Sequence, residues 1–177
     1  MRIVGGIYKG RVLCPFEKIG VRPTSDMTRE SLFNILQFKI PNAKFLDLFA
    51  GTGAVGIEAL SRGAKEVWIN DFGKESVALI KKNLSKLGIE NGVKVTNFDA
   101  VSLVKNTIDK FDIIFIDPPY KSDLGLEVLS NIANALSDDG IAIFESDVPF
   151  DKEISGLAVY DRRRYGKAHL TFFKKEV

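Results

Sequence analysis

The chain has 177 residues but only one cysteine, one histidine and one tryptophan. A lone Cys14 cannot close an internal disulfide, and its presence fits a reducing, cytoplasmic compartment. With His169 as the single imidazole, the ligand set of a zinc site is missing, so no metal is expected. His169 itself is expected to pack or cap in the C-terminal hairpin rather than act in catalysis. No apolar run reaches the roughly 18 residues of a membrane span. The opening Met1-Arg2-Ile3-Val4-Gly5-Gly6 lacks the apolar stretch of a secretory leader. Internal repeats and low-complexity segments are absent too, and the length fits one domain able to bury a full core.

Charge is balanced in sum and uneven in place. The net formal charge is +2, yet residues 1–44 carry +5, residues 45–150 carry −6 and residues 151–177 carry +3. An acidic centre between basic ends suits a small cationic ligand flanked by surfaces that tolerate phosphate.

From Lys44 onward, short apolar runs alternate with amphipathic stretches. Phe45–Leu48, Glu66–Asn70, Val93–Val95, Phe111–Ile116 and Gly140–Phe144 read as strands. Val77, Ile80, Leu84 and Leu87 recur at helical spacing, as do Val128, Leu129, Ile132 and Leu136. Alternating strands and helices predict βαβ units and a mostly parallel sheet covered on both faces. Two β-rich segments, Leu157–Tyr165 and Lys167–Phe173, joined near Gly166, predict an antiparallel pair at one sheet edge. Trp68, inside a strand, reads as core. Residues 1–40 break the rhythm: a short hairpin from Arg2–Gly6 and Lys9–Leu13, a polar loop through Arg22-Pro23-Thr24, then a helix capped at Ser25 or Asp26. They are assigned as an extension to a domain spanning residues 41–177.

Two motifs carry chemistry. Phe45-Leu46-Asp47-Leu48-Phe49-Ala50-Gly51-Thr52-Gly53-Ala54-Val55-Gly56 is a strand, a glycine turn and a helix start, the arrangement that lets a ligand approach backbone N–H groups. Glycine spacing alone is shared by several cofactor classes. Asp47, just before the turn, disfavours a pyrophosphate and favours the ammonium and sulfonium of S-adenosylmethionine. Asp71, ending the next strand, suits ribose hydroxyls, and Asp99, after the third, suits an adenine amino group. The second motif is Asp117-Pro118-Pro119-Tyr120, directly after a strand. Two prolines stop the ladder and leave a stiff turn. Its Asp117 carboxylate and Pro118 carbonyl can accept both hydrogens of a planar exocyclic amine while Tyr120 stacks on the ring bearing it. An amine so held would face a methyl donor in the glycine-loop site.

Together these segments resemble class I S-adenosylmethionine-dependent amino-methyltransferases. Ile3-Val4-Gly5-Gly6, Lys9-Gly10-Arg11, Arg22-Pro23-Thr24-Ser25-Asp26, Arg29–Asn34 and Gly56–Ala64 narrow the resemblance to the bacterial RsmD family. That resemblance implies transfer of a methyl group to the exocyclic N2 of a guanine in 16S ribosomal RNA. The substrate would be an assembled or assembling small subunit and the enzyme a monomer. It implies a Rossmann-like fold: a seven-stranded, mostly parallel sheet with an antiparallel C-terminal strand. By position, Asp47, Phe49, Ala50, Gly51, Gly53, Asp71, Phe72, Asp99 and Ala100 would line the cofactor. Asp117, Pro118, Pro119 and Tyr120 would handle the base. Arg2, Lys9, Arg11, Arg22, Thr24 and Arg29 are assigned to RNA, whose phosphates the basic N-terminal segment would track. Phe98 departs from the small residue common before that third acid. Arg162-Arg163-Arg164 reads as a solvated edge strand, since neighbouring residues face opposite sides. An adenine-N6 methyltransferase of DNA or RNA is the nearest alternative, because the amine-binding turn does not distinguish the two bases. A nicotinamide oxidoreductase would leave Asp117–Tyr120 unused, and a non-enzymatic RNA-binding module would leave the acidic site unexplained.

Overall fold

A computed structural model describes residues 1–16, 25–119 and 123–176. Seven strands form one sheet: β1 (Lys44–Asp47), β2 (Glu66–Asn70), β3 (Val93–Thr96), β4 (Phe111–Ile116), β5 (Leu136–Ser146), β6 (Leu157–Tyr165) and β7 (Ala168–Lys175). Their order is β3-β2-β1-β4-β5-β7-β6. The first five are mutually parallel, and β7 runs antiparallel to both β5 and β6. The last strand in the chain thus enters beside β5 and leaves β6 as the edge. The connection from β1 to β2 builds the sheet one way and β4 to β5 builds it the other. The β1/β4 boundary is therefore the switch point, where open α/β sheets bind their ligands.

Among the described residues, five α-helices cover the sheet: α1 (Asp26–Ile35), α2 (Ala54–Ser61), α3 (Lys74–Leu87), α4 (Ala100–Asn106) and α5 (Leu124–Leu129). Ser25 caps α1, its side chain accepting from Thr28 N–H at 3.1 Å. Val77, Ile80, Leu84 and Leu87 do share one helix, α3, closed by Gly88 at φ 68°. The run from Val128 to Leu136 is not a single helix. Ser130 Oγ donates to the Leu126 carbonyl at 2.8 Å and Asn131 Nδ2 to the Glu127 carbonyl at 2.7 Å. Such side chains compete with continued helix. A 3-10 turn (Ile132–Asn134) follows, and Leu136 opens β5. The spacing identified a buried face, not a continuous helix.

One apolar cluster fills each face. Leu46, Leu48 and Trp68 join α4 and α5 on one side, while Phe45, Val67 and Ile69 join α2 and α3 on the other. The N-terminal segment belongs to the second: Ile3, Leu13, Leu32, Phe33 and Leu36 are all buried there. Its hairpin has a single bridge, Arg2 to Val12, rather than a ladder. Burial of such side chains contributes about 1.5–3 kcal/mol each, and it adds to the few backbone hydrogen bonds that join the two arms.

Candidate functional site

Three carboxylates stand at the C-terminal ends of β1, β2 and β4. Asp47, the last residue of β1, is only 2% exposed. Its Oδ2 accepts the Gly56 N–H of α2 at 2.8 Å. Gly56 has to be glycine here: an added Cβ would stand 2.8 Å from Ile69 Cγ1 and 3.3 Å from Asp47 Cβ. That absence of a side chain seats α2 on the strands and aims its first turns at the carboxylate. Burial pushes the Asp47 carboxyl up to about 7; the Gly56 N–H opposes this, and the charges of Asp117 and Asp71 add to it. A buried carboxylate held this close to neutrality favours a cationic partner.

Asp71, just beyond β2, braces the glycine turn. Its Oδ2 accepts from Gly51 N–H and its Oδ1 from Gly73 N–H, each at 2.8 Å. A carboxylate has about four lone-pair sites, so capacity for hydroxyl donors remains. Gly51 lies at φ 55° and Gly53, the N-cap of α2, at φ 80°. A Cβ on Gly51 would meet nothing within 4 Å, so the turn opens on space rather than on packed protein. Phe49 and Ala50 of the same loop are half-buried. The strand ends are knitted by Asn70, which is buried. Its Nδ2 donates to the Leu48 and Phe98 carbonyls, both at 3.1 Å, while its Oδ1 accepts Thr96 Oγ1 at 2.8 Å and Phe98 N–H at 3.0 Å. Asn97 Nδ2 adds bonds to the Asp71 and Phe72 carbonyls.

Asp99 caps α4, accepting Ser102 N–H at 2.8 Å, and is exposed; Ala100 beside it is buried, leaving its backbone as the part a ligand could meet. Phe72 and Phe98, which follow the second and third strands, are 76% and 54% exposed. Bare phenyl rings in this position supply a face for a planar ring. Phe98 was read from sequence only as a departure, and nothing in the pattern distinguished an exposed Phe from a core one.

β4 delivers the Asp117-Pro118 turn beside this site. Asp47 pairs in register with Phe115, so Asp117 lies two residues further along the adjacent strand. Asp117 is half-buried, Pro118 buried and Pro119 exposed. Gly125 of α5 fixes the turn from below, since a Cβ there would come to 2.7 Å from the Phe144 ring and 3.0 Å from Pro118 Cγ. Gly125→Ala must therefore displace Pro118 or Phe144. Turnover is expected to fall about tenfold with cofactor affinity unchanged, as misplacement by a fraction of an ångström costs positioning. Single-turnover rates beside calorimetric titrations check this. Tyr120, Arg22 and Thr24 lie outside the described residues.

The cationic residues assigned to RNA divide. Arg2, Lys9 and Arg11 are exposed on the N-terminal segment. Arg29 is not: its side chain is fully buried, so the phosphate role assigned to it is wrong. Its Nη2 donates to Asp26 Oδ1 at 2.9 Å and to the Arg2 carbonyl, and its Nε lies 3.9 Å from Glu58 Oε2. Glu58, equally buried on α2, also accepts Val4 N–H at 2.9 Å and Arg62 Nε–H at 2.7 Å. Arg29 pins the extension to α2. A second tie was invisible in the sequence. Asn83 on α3 accepts Cys14 N–H at 2.7 Å and donates to the Thr52 carbonyl at 3.0 Å, joining the N-terminal segment to the glycine turn.

The whole of residues 1–174 matches the family described as conserved hypothetical protein 95. Ribosomal RNA small subunit methyltransferase D of Escherichia coli K12 is 36% identical over 87% of this chain and 75% of its own length. YlbH of Bacillus subtilis is 32% identical over 99% of both chains. The structure of YhhF from Escherichia coli superposes with a TM-score of 0.86 at 29% identity, covering 100% of this chain and 98% of that one.

Proposed function

Because the chain belongs to the conserved hypothetical protein 95 family, the RsmD family of methyltransferases, we propose that it transfers a methyl group from S-adenosylmethionine to the exocyclic N2 of a guanine in 16S ribosomal RNA. The fold is the Rossmann-like class I methyltransferase fold, with its antiparallel strand β7. Methyl transfer to ribosomal RNA is the activity in the names of its relatives. The adenine-N6 alternative is not favoured.

The observation that carries the reading is the adjacency of Asp47 and Asp117 at the C-terminal ends of neighbouring strands at the switch point. One is buried beside an open glycine turn and the other begins a proline-stiffened turn. The donor set fits S-adenosylmethionine: a buried carboxylate for its cationic methionine end, Asp71 for the ribose, and Phe72 and Phe98 for the adenine face. The cofactor supplies an electrophilic methyl group. The protein's part is to hold the acceptor. Asp117 and the Pro118 carbonyl accept the two amine hydrogens of the base, favouring a more tetrahedral nitrogen with its lone pair aimed into the site. A nucleobase amine is delocalised and a poor nucleophile, so positioning of this kind supplies much of the rate. The carboxylate also stabilises the nitrogen as it gains positive charge, and it, or a water beside it, accepts the proton released. Arg2, Lys9, Arg11 and Arg22 would meet RNA phosphates.

The test is to incubate the protein with methyl-labelled S-adenosylmethionine and, separately, unmodified small ribosomal subunits, naked 16S RNA and duplex DNA. Label should enter the subunits or the RNA. Label entering only DNA would overturn the reading.

A further inference from the structure

The arginine triplet of β6 was read from sequence as a solvated edge, and the sheet register assigns it a more specific position. Ile116 of β4 pairs with Phe144, Phe144 with Thr171, and Thr171 with Arg162. Following the same rows one and two residues on, Asp117 is level with Arg163, and Arg164 stands at the row of Ser146 and His169. The triplet thus sits on the rim of the sheet that carries the candidate site. Three strand spacings of about 4.8 Å put it about 14 Å from the Asp117 turn, or about four nucleotides at 3.4 Å each in a stacked strand.

Cations on an edge strand also serve to block strand pairing, and that purpose would be met anywhere along β6. The observed distribution is one-sided. Leu157, Ala158, Val159 and Tyr160, at the far end of β6, carry no charge, while all three arginines and the following Lys167 are exposed at the site end. The three are not equivalent. Arg163 is paired to Asp161 at 2.9 Å. Arg162 and Arg164 share the opposite face, and among the described residues neither forms a salt bridge. Each is steadied through Nε, donating to the Phe150 carbonyl at 3.4 Å and to the Gly166 carbonyl at 3.1 Å. A guanidinium braced at Nε keeps its terminal nitrogens for a bidentate anion.

Resting on the ribosomal RNA reading above, we infer that Arg162 and Arg164 form a second phosphate-binding surface for the substrate RNA. The strand would be held on one side by the N-terminal segment and on the other by β6, with the target base turned into the site between them. The contact carries affinity and orientation, not base identity.

The experiment is filter binding of an in vitro 16S RNA transcript between 50 and 200 mM KCl, with methylation of unmodified small subunits followed in parallel. Three proteins are compared: wild type, Arg162→Gln/Arg164→Gln and Arg162→Lys/Arg164→Lys. Two lost contacts should flatten the slope of log K against log salt by about 1.4, at about 0.7 per contact on single strands. KM for subunits should rise while kcat at saturation and cofactor affinity stay unchanged, and the lysine pair should restore most of the slope. Both positions are exposed, so melting temperatures should match and exclude misfolding. An unchanged slope and KM in the glutamine pair, with an active wild type, would overturn this surface and leave the enzymatic reading standing. A wild type that binds cofactor but methylates neither RNA nor subunits would overturn the reading itself, and the surface with it.

Discussion

Replacing Asp117 by alanine is expected to lower turnover by about 10²–10⁴-fold, the range for loss of a positioned proton acceptor, while cofactor binding survives. The carboxylate orients the amine and stabilises its developing charge, and neither contribution exists before the base is bound. Its second effect runs through Asp47. The Asp117 charge helps to raise the Asp47 carboxyl toward 7. Removing that charge should lower it, so that at pH 6.5 the variant binds the cofactor at least as well as the wild type does. Calorimetric titration beside single-turnover methylation separates the two roles. A variant that loses cofactor binding but keeps turnover per bound enzyme would reverse the assignment of Asp117.

Asp47→Asn is expected to do the opposite, weakening S-adenosylmethionine binding by at least about a hundredfold, the cost of leaving a buried ligand charge unpaired. It should also stabilise the empty protein. The Asp47 carboxyl is raised from 3.8 to about 7 in the folded state. Between those values the native protein holds a proton that the unfolded chain has released, so stability falls as pH rises from 4 to 7 and the full penalty applies above 7. Asparagine keeps an acceptor for Gly56 N–H and carries no charge. Its advantage over the wild type should grow by about 2–3 kcal/mol from pH 5 to pH 8, at 1.36 kcal/mol per unit. For a domain of this size that is about 4–12 °C in melting temperature. Thermal melts of both proteins across that range check it. A constant difference would mean that Asp47 is not the group titrating near 7. For the wild type, the same ionisation makes cofactor affinity drop as pH falls below 7.

Features that depend on neighbours in the chain were legible before the fold was known. The Asp117-Pro118-Pro119 segment is stiff because its own two prolines make it so, and the strand–glycine–helix unit announces itself within twelve residues. The parallel strands were legible in the alternation of strands and helices, whereas their order, with β4 beside β1, was not, because handedness alone does not fix it. What escaped was decided by partners far away in sequence. Arg29 has the composition of a surface cation, and only the placement of Glu58, on another element, turns it into a buried anchor. Gly125 looks like any helix glycine until Pro118 and Phe144 are seen against it. Asn70 and Asn83 spend their side-chain amides on groups of other strands and loops. The arginines of β6 acquired a position only once β7 was seated between β5 and β6, which carries the register from Asp117 out to the edge.

The amine-holding turn fits guanine N2 and adenine N6 alike, so the central claim is the identity of the methylated base. Small subunits labelled by this protein with methyl-tritiated S-adenosylmethionine should be digested to nucleosides and resolved by chromatography. The label is expected to run as N2-methylguanosine and, at equal times, to fall by at least about a hundredfold with Asp117→Ala. Label running as N6-methyladenosine would contradict the account.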